Sequence, residues 1–207
     1  MIVIGVTGSV GMGKTEASKC FLKNNVDVFD CDKEIASLYN RKEITLEIKK
    51  TFPSTVVENK IDKNALAKIV FSDKKKLRFL EGLLHKKLKK KQSLWVRKKI
   101  GERKKILVFD VPLLFEKDNL KKYDIIVVLS CNIKIQRRRV LSRKGWTKDR
   151  LQKTLKEQMS DRLKRTLGDI IIKTDRGKRD LNKNVIKIIR EVYTKKDRRI
   201  NDILKEF

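Results

Sequence analysis

Several things are scarce in this chain, and each scarcity removes a class of protein. Its three cysteines, Cys20, Cys31 and Cys131, are odd in number and too scattered for a C-x-x-C pair. Neither a disulfide framework nor a zinc site is suggested, and buried thiols in a reducing compartment are the expectation. Two prolines and nine glycines among 207 residues, with no repeat or low-complexity segment, leave no linker and point to one compact unit. Aromatic residues are 6% of the chain, and no helix-turn-helix, aromatic stacking motif or zinc module is recognisable, so no specific nucleic-acid partner is expected. No apolar run approaches the roughly 20 residues of a membrane span, and no basic segment precedes the short apolar one at the start. A soluble, cytoplasmic chain with no membrane partner is therefore expected, and a monomer.

Acidic residues are scarce as well: 26 Asp+Glu face 54 Lys+Arg, a formal net charge of +28. A basic surface binds phosphate backbones without reading sequence, yet the same excess suits an enzyme whose substrates are small polyanions. It also fits an ordinary solvated lysine face, because lysine is spread through most predicted helices. Charge alone does not decide. What is plentiful is core material, 40% hydrophobic residues, enough for one α/β domain of this length with an inserted helical part.

The stretch Gly8-Ser9-Val10-Gly11-Met12-Gly13-Lys14-Thr15 fits G-x-x-x-x-G-K-[ST] and follows the apolar run Ile2-Val3-Ile4-Gly5-Val6. Strand, glycine-rich loop, then helix is the context in which this spacing makes a phosphate-binding loop. The glycines allow a tight turn that brings N–H groups toward one anion, and the helix adds the positive end of its dipole. Gly11, Met12, Gly13, Lys14, Thr15 and Glu16 are thus the expected ATP-contacting residues. Lys14 reaches the β- and γ-phosphates and the Thr15 hydroxyl takes a place on Mg²⁺, the cofactor expected with ATP.

A second strand, Val26 to Phe29, runs into Asp30-Cys31-Asp32. That places two carboxylates at the carboxyl edge of the sheet, where ligands of open α/β folds bind, although either could simply cap the predicted helix 33–40. From Ile44 to Ile100 no strand is evident, only helical periodicities, the longest from Lys75 with Leu77, Leu80, Leu83, Leu84 and Leu88 in its apolar stripe. His85, the only histidine, sits where that helix turns basic; a lone histidine is more often filler than function. Ile106 to Asp110 is a third buried strand ending in an acid that can serve the metal. Val111-Pro112 stops it, and Leu113-Leu114-Phe115-Glu116 follows as an apolar loop that lines a ligand or packs under the next helix. Ile125 to Leu129 is a fourth strand and Asp169 to Ile172 a short fifth. Between them, Ile133 to Arg165 carries thirteen Lys or Arg against Asp149, Glu157 and Asp161, with a turn at Lys144 to Thr147. This reads as a pair of basic helices forming a lid over a transferring phosphoryl group, with Arg139 and Arg143 its foremost cations.

These stretches together resemble the dephospho-coenzyme A kinase family over nearly the whole chain. Beyond the phosphate loop the likeness is carried by Val28 to Asp32 with Ile35-Ala36, by Leu83-Leu84-His85, and by Asp110-Val111-Pro112-Leu113-Leu114-Phe115-Glu116. Arg139, Arg143, Gln158-Met159-Ser160 and Asp169 to Ile172 extend it. The resemblance implies phosphorylation of the ribose 3′-hydroxyl of dephospho-coenzyme A by ATP, with Lys14, Asp32 and Arg139 catalytic and Asp32 as the base. It places Asp32, His85, Pro112, Leu113, Leu114 and Phe115 at the acceptor, and Thr15 and Asp110 at the metal. The sequence departs from the family where Lys86 replaces proline and Thr174 replaces asparagine. Shikimate kinase shares the Asp-x-Asp but expects a glycine triplet where Asp110-Val111-Pro112 stands, and a basic nucleic-acid-binding NTPase is the more distant alternative. The expected fold is a P-loop NTPase-type parallel sheet flanked by helices. Its nucleotide-binding core is 1–40, 105–135 and 166–207, with a helical acceptor-side insertion 41–104 and a helical lid 136–165.

Overall fold

The computed structural model describes residues 1–117, 120–195 and 197–207. In chain order the elements are β1 (Ile2–Thr7), α1 (Lys14–Lys23), β2 (Asp27–Asp30), α2 (Cys31–Leu38), α3 (Lys42–Thr51), β3 (Val56–Val57), β4 (Lys60–Ile61), α4 (Lys63–Phe71) and α5 (Lys74–Gly101). They continue with β5 (Ile106–Asp110), α6 (Leu114–Lys117), β6 (Ile125–Ser130), α7 (Ile133–Leu141), α8 (Lys148–Lys156), α9 (Asp161–Leu167), β7 (Ile170–Lys173), α10 (Lys178–Tyr193) and α11 (Ile200–Glu206). Two compact units result: Met1–Asp30 with Val96–Phe207, and Cys31–Trp95.

The first unit is built on a five-stranded sheet in the order β2-β5-β1-β6-β7. Every pairing in it is parallel. Strands buried on both faces cannot alternate polar with apolar, which is why β1, β5 and β6 read as unbroken apolar runs. One face packs Ile4, Val108 and Val127 against Phe21 of α1 and Val185 and Ile188 of α10. Alternation turns Phe109 to the other face, where its ring lies 5.4 Å from Phe29 and 4.7 Å, stacked, from Phe207 beyond α11. β1 sits in the middle, with β5 and β6 on either side, so the loop that leaves it emerges where successive connections diverge. Open α/β sheets bind ligands at such a crevice.

The second unit is helical around Leu38, Ile44, Ile48, Leu66, Val70, Leu80 and Leu84. It begins at Cys31 rather than 41 because Leu38 of α2 joins this cluster, and it ends at Trp95, inside the uninterrupted α5. Asp62 caps α4 by accepting from the amides of Asn64 and Ala65 at 2.9 and 3.1 Å. This unit also contains a strand pair that the sequence reading lacks: β3 and β4 pair antiparallel across Glu58 and Asn59, whose φ angles are 48° and 60°. Two consecutive positive φ values make a two-residue hairpin turn, and a Glu-Asn pair lacks the glycine that usually announces one. A second difference lies in 133–165, expected as two helices. The turn at 144–147 is present, but the helix after it stops at Lys156, and Ser160 starts α9 by accepting from the Leu163 amide at 3.3 Å. The charged run from Lys195 to Arg199 includes Lys196, which lies outside the described residues. No helix among the described residues is long and apolar enough to cross a membrane.

Candidate active site

A loop that cradles an anion must turn its amides inward and its carbonyls outward, and the outward carbonyls need donors. The Gly8 carbonyl accepts from Lys14 Nζ at 3.0 Å and the Ser9 carbonyl from the Met12 amide at 3.1 Å. The Val10 carbonyl accepts from Gln136 Nε2 at 2.8 Å and the Met12 carbonyl from Thr174 Oγ1 at 3.1 Å. Gly11 and Gly13 hold φ at 81° and 95°, a region that favours glycine. A Cβ on Gly11 would also stand 2.6 Å from Val140 Cγ2. Gly13 is the residue before α1, so the first amides of that helix, which have no carbonyl one turn back, open onto the loop. Thr15 is exposed in the first turn. Met12, by contrast, buries its side chain at 3% exposure in the sheet core, so only its backbone is available to a nucleotide. Glu16 turns away to Lys19 and Lys178 at 2.9 and 3.0 Å, and the hydrogen bond from Lys19, then that from Lys178, holds its carboxyl below the usual range.

Parallel register brings Asp30 of β2 beside Asp110 of β5 at the same sheet edge. Asp110 is 5% exposed and accepts from Ser18 Oγ at 2.8 Å. Ser18, one turn along α1, is missed by motif spacing because it falls outside the eight-residue pattern. Thr15 and Asp110 suit a magnesium ion that arrives with ATP. One hydroxyl and one carboxylate are few ligands, but Mg²⁺ commonly takes the remainder from water and substrate phosphates.

Arg139 of α7 gives Nη1 to Thr174 Oγ1 at 2.9 Å and Nη2 to the Thr174 carbonyl at 2.7 Å. Thr174, buried at 3% exposure, passes that contact to Met12. Thr174 thus presents a hydroxyl that accepts from the arginine and donates to the phosphate loop. Arg143, two residues beyond the end of α7, is exposed.

The stretch 112–116 divides. Pro112, Leu113 and Phe115 are half-buried, whereas Leu114 is fully buried, its Cδ1 within 2.7 Å of where a Cβ on Gly5 would stand. Leu114 therefore packs its side chain in the core, because helix α6 starts there and turns it inward, which leaves its backbone as the part an acceptor could meet. Glu116 accepts from the Met159 amide at 2.7 Å and pairs with Lys164 Nζ at 2.9 Å. Lys164 has no exposed side-chain surface and also reaches the Pro112 carbonyl at 3.3 Å. A buried lysine needs such partners. It escaped notice within a run of exposed basic residues.

Asp32 and His85 belong to the helical unit. Asp32 stands in the first turn of α2, exposed, and not on the strand that ends at Asp30. The helix follows the strand without a break and takes Asp32 with it. His85 is exposed on α5.

A phosphate loop after the central strand of an all-parallel sheet, with carboxylates at the same edge and a basic helical segment following β6, defines a P-loop kinase. Comparison with known proteins narrows the class. A model of dephospho-CoA kinase matches residues 2–180. The dephospho-CoA kinase of Bartonella quintana is 35% identical over 189 residues, covering 91% of this chain and 97% of that protein. Among solved structures, a Thermus thermophilus protein superposes with a TM-score of 0.82 at 26% identity, covering 94% of this chain and 98% of its own. The dephospho-CoA kinase from Campylobacter jejuni does so with a TM-score of 0.69 at 23% identity, over 92% and 96%. The chain belongs to the dephospho-CoA kinase family, ATP-dependent kinases of the last step of coenzyme A biosynthesis.

Proposed function

We propose that this chain transfers the γ-phosphoryl group of ATP to the ribose 3′-hydroxyl of dephospho-coenzyme A, giving ADP and coenzyme A. The observation that carries the reading is the phosphate loop itself, with its carbonyls from Gly8 to Ser9, at Val10 and at Met12 engaged by donors, in a chain of this family. In this reading the amides from Gly11 to Glu16 hold the β- and γ-phosphates. Lys14 exchanges the Gly8 carbonyl for phosphate oxygens, and Arg139 and Arg143 add positive charge on the lid side. Asp32 accepts the ribose hydroxyl proton, while His85, Pro112, Leu113 and Phe115 receive the acceptor. Thr15 and Asp110 would hold Mg²⁺, which when bound would supply charge neutralisation for the transferring phosphoryl group. Transition-state stabilisation by fixed dipoles and cations then does most of the work, since phosphoryl transfer asks little covalent chemistry of the protein.

The test is direct. Purified protein with ATP, Mg²⁺ and dephospho-coenzyme A should form ADP and coenzyme A in equal amounts, and shikimate in place of the acceptor should give no ADP above background. No coenzyme A formed, or faster turnover with shikimate, overturns the assignment.

A further inference from the structure

Val10 is held from both sides by side-chain amides. Its N–H donates to Gln158 Oε1 at 3.0 Å, and its carbonyl accepts from Gln136 Nε2 at 2.8 Å. The chemistry fixes which end of each amide is used, because a backbone N–H can only donate and a carbonyl can only accept. Gln136 lies in α7 and is 3% exposed; Gln158 lies in the break between α8 and α9. Neither contact is local, the partners being 126 and 148 residues apart. The Val10 peptide groups cannot rotate without leaving these polar groups unpaired in a part-buried place, and that is what a loop with converging amides needs. One flipped peptide would aim a carbonyl at the phosphate. The same helix reaches the loop again one turn later, through Arg139 and Thr174 to Met12. Next to Gln158, the Met159 amide donates to Glu116 of the acceptor-side stretch.

We propose that Gln136 and Gln158 are positioning residues for phosphoryl transfer: they lock the Val10 peptides so that the phosphate loop presents its amides. Through the Gln158-Met159 pair they join that loop to the 112–116 stretch. The role rests on the phosphoryl-transfer reading only for the acceptor, since the loop meets the nucleotide whichever alcohol is phosphorylated.

Glutamate substitutions separate this role from packing. Gln158→Glu keeps an acceptor for the Val10 N–H, whereas Gln136→Glu sets an acceptor against the Val10 carbonyl; both add the same charge near the loop. ADP affinity by calorimetry, which needs no acceptor substrate, and kcat/KM for ATP should both fall roughly tenfold further in Gln136→Glu than in Gln158→Glu. Gln136→Leu and Gln158→Leu should each weaken ADP binding by about tenfold with unchanged far-ultraviolet dichroism. In the unmodified protein the Val10 amide should exchange with solvent more than roughly a hundredfold more slowly than an unprotected loop amide. Equal losses in the two glutamate variants, or a Val10 amide exchanging at the open-loop rate, would overturn the proposal. The exchange measurement decides if a variant fails to fold. ADP binding that responds as expected in a protein unable to phosphorylate dephospho-coenzyme A would sink the acceptor assignment and leave this one standing.

Discussion

Asp32 is the second residue of α2, two positions after β2 ends at Asp30, and the two acids differ in surroundings: Asp32 is exposed, Asp30 half-buried. A base must come within about 2.6–3.2 Å of the hydroxyl it deprotonates. Asp32→Asn keeps size and most hydrogen bonding but loses the charge. Its turnover should fall at least roughly a hundredfold, with ATP affinity nearly unchanged, while Asp30→Asn loses less. Steady-state kinetics of both variants decide it, and the reverse ranking moves the base to Asp30. A different residue, Lys164, tests stability. Removing its charge with Lys164→Met strands Glu116, whose side chain is 15% exposed. Loss of one partner of a buried pair costs about 3–5 kcal/mol, and partial solvent access puts this case near about 3 kcal/mol. The melting temperature should drop on the order of 10 °C. Adding Glu116→Gln should recover part of that, since the two sites share one interaction. Equal melting of Lys164→Met and the parent chain would refute the pairing's role.

Among the elements, β2 is tied to the end of α5 by charge. Asp27 lies 2.8 Å from Lys99 and 3.1 Å from Lys104. Burial pushes the Asp27 carboxyl up, but the bonds from Lys99 and Lys104 more than reverse this and leave it below its ordinary 3.8. Lys99 moves the other way, above 10.5, through its bond to Asp27 and then Glu102. A lowered carboxylate contributes stability that is present above its unfolded value and lost as pH falls through its folded one. A raised lysine contributes stability that is present below its unfolded value and lost as pH rises through its folded one. Asp27→Asn should therefore cost about 1 kcal/mol between roughly pH 5 and 9, and the deficit should vanish in acid as pH falls through the lowered carboxyl value. Urea unfolding of both proteins across that range measures it, and a deficit constant down to pH 2 contradicts the assignment. The five strands of the sheet are legible in the sequence because each carries a short apolar run closed by a turn-forming or polar residue such as Gly8, Asp30, Pro112, Asn132 or Asp175, and a parallel sheet demands such runs. The β3–β4 hairpin and the start of α9 are not, since Glu58-Asn59 lacks glycine and Ser160 caps a helix inside a charged pattern. Within the site, the phosphate loop announces itself by spacing. Leu114 does not announce its inward turn, and Gln136, Gln158 and Ser18 leave no pattern, because their partners are distant in sequence and their side chains common.

For the whole molecule, 54 cationic residues against 26 acidic ones set a positive field, and in the proposed function that field would draw in ATP before it touches the site. Salt screens that attraction, the Debye length shrinking from about 30 Å at 0.01 M to about 3 Å at 1 M. The Michaelis constant for ATP should rise severalfold across that range while turnover changes less, and an insensitive Michaelis constant would make the charge a solvated face with no part in capture.

The turn between α7 and α8 also has an optical consequence. There the Arg150 guanidinium lies 4.7 Å from the Trp146 ring and donates to the Gly145 carbonyl at 2.9 Å. The chain has two tryptophans, Trp95 and Trp146. With Trp95→Phe, emission comes from Trp146 alone, and a stacked cation beside an indole influences its brightness and colour. If Arg150 leaves the ring when nucleotide arrives, stopped-flow fluorescence would time the rearrangement of the basic helices against each turnover, with no attached dye.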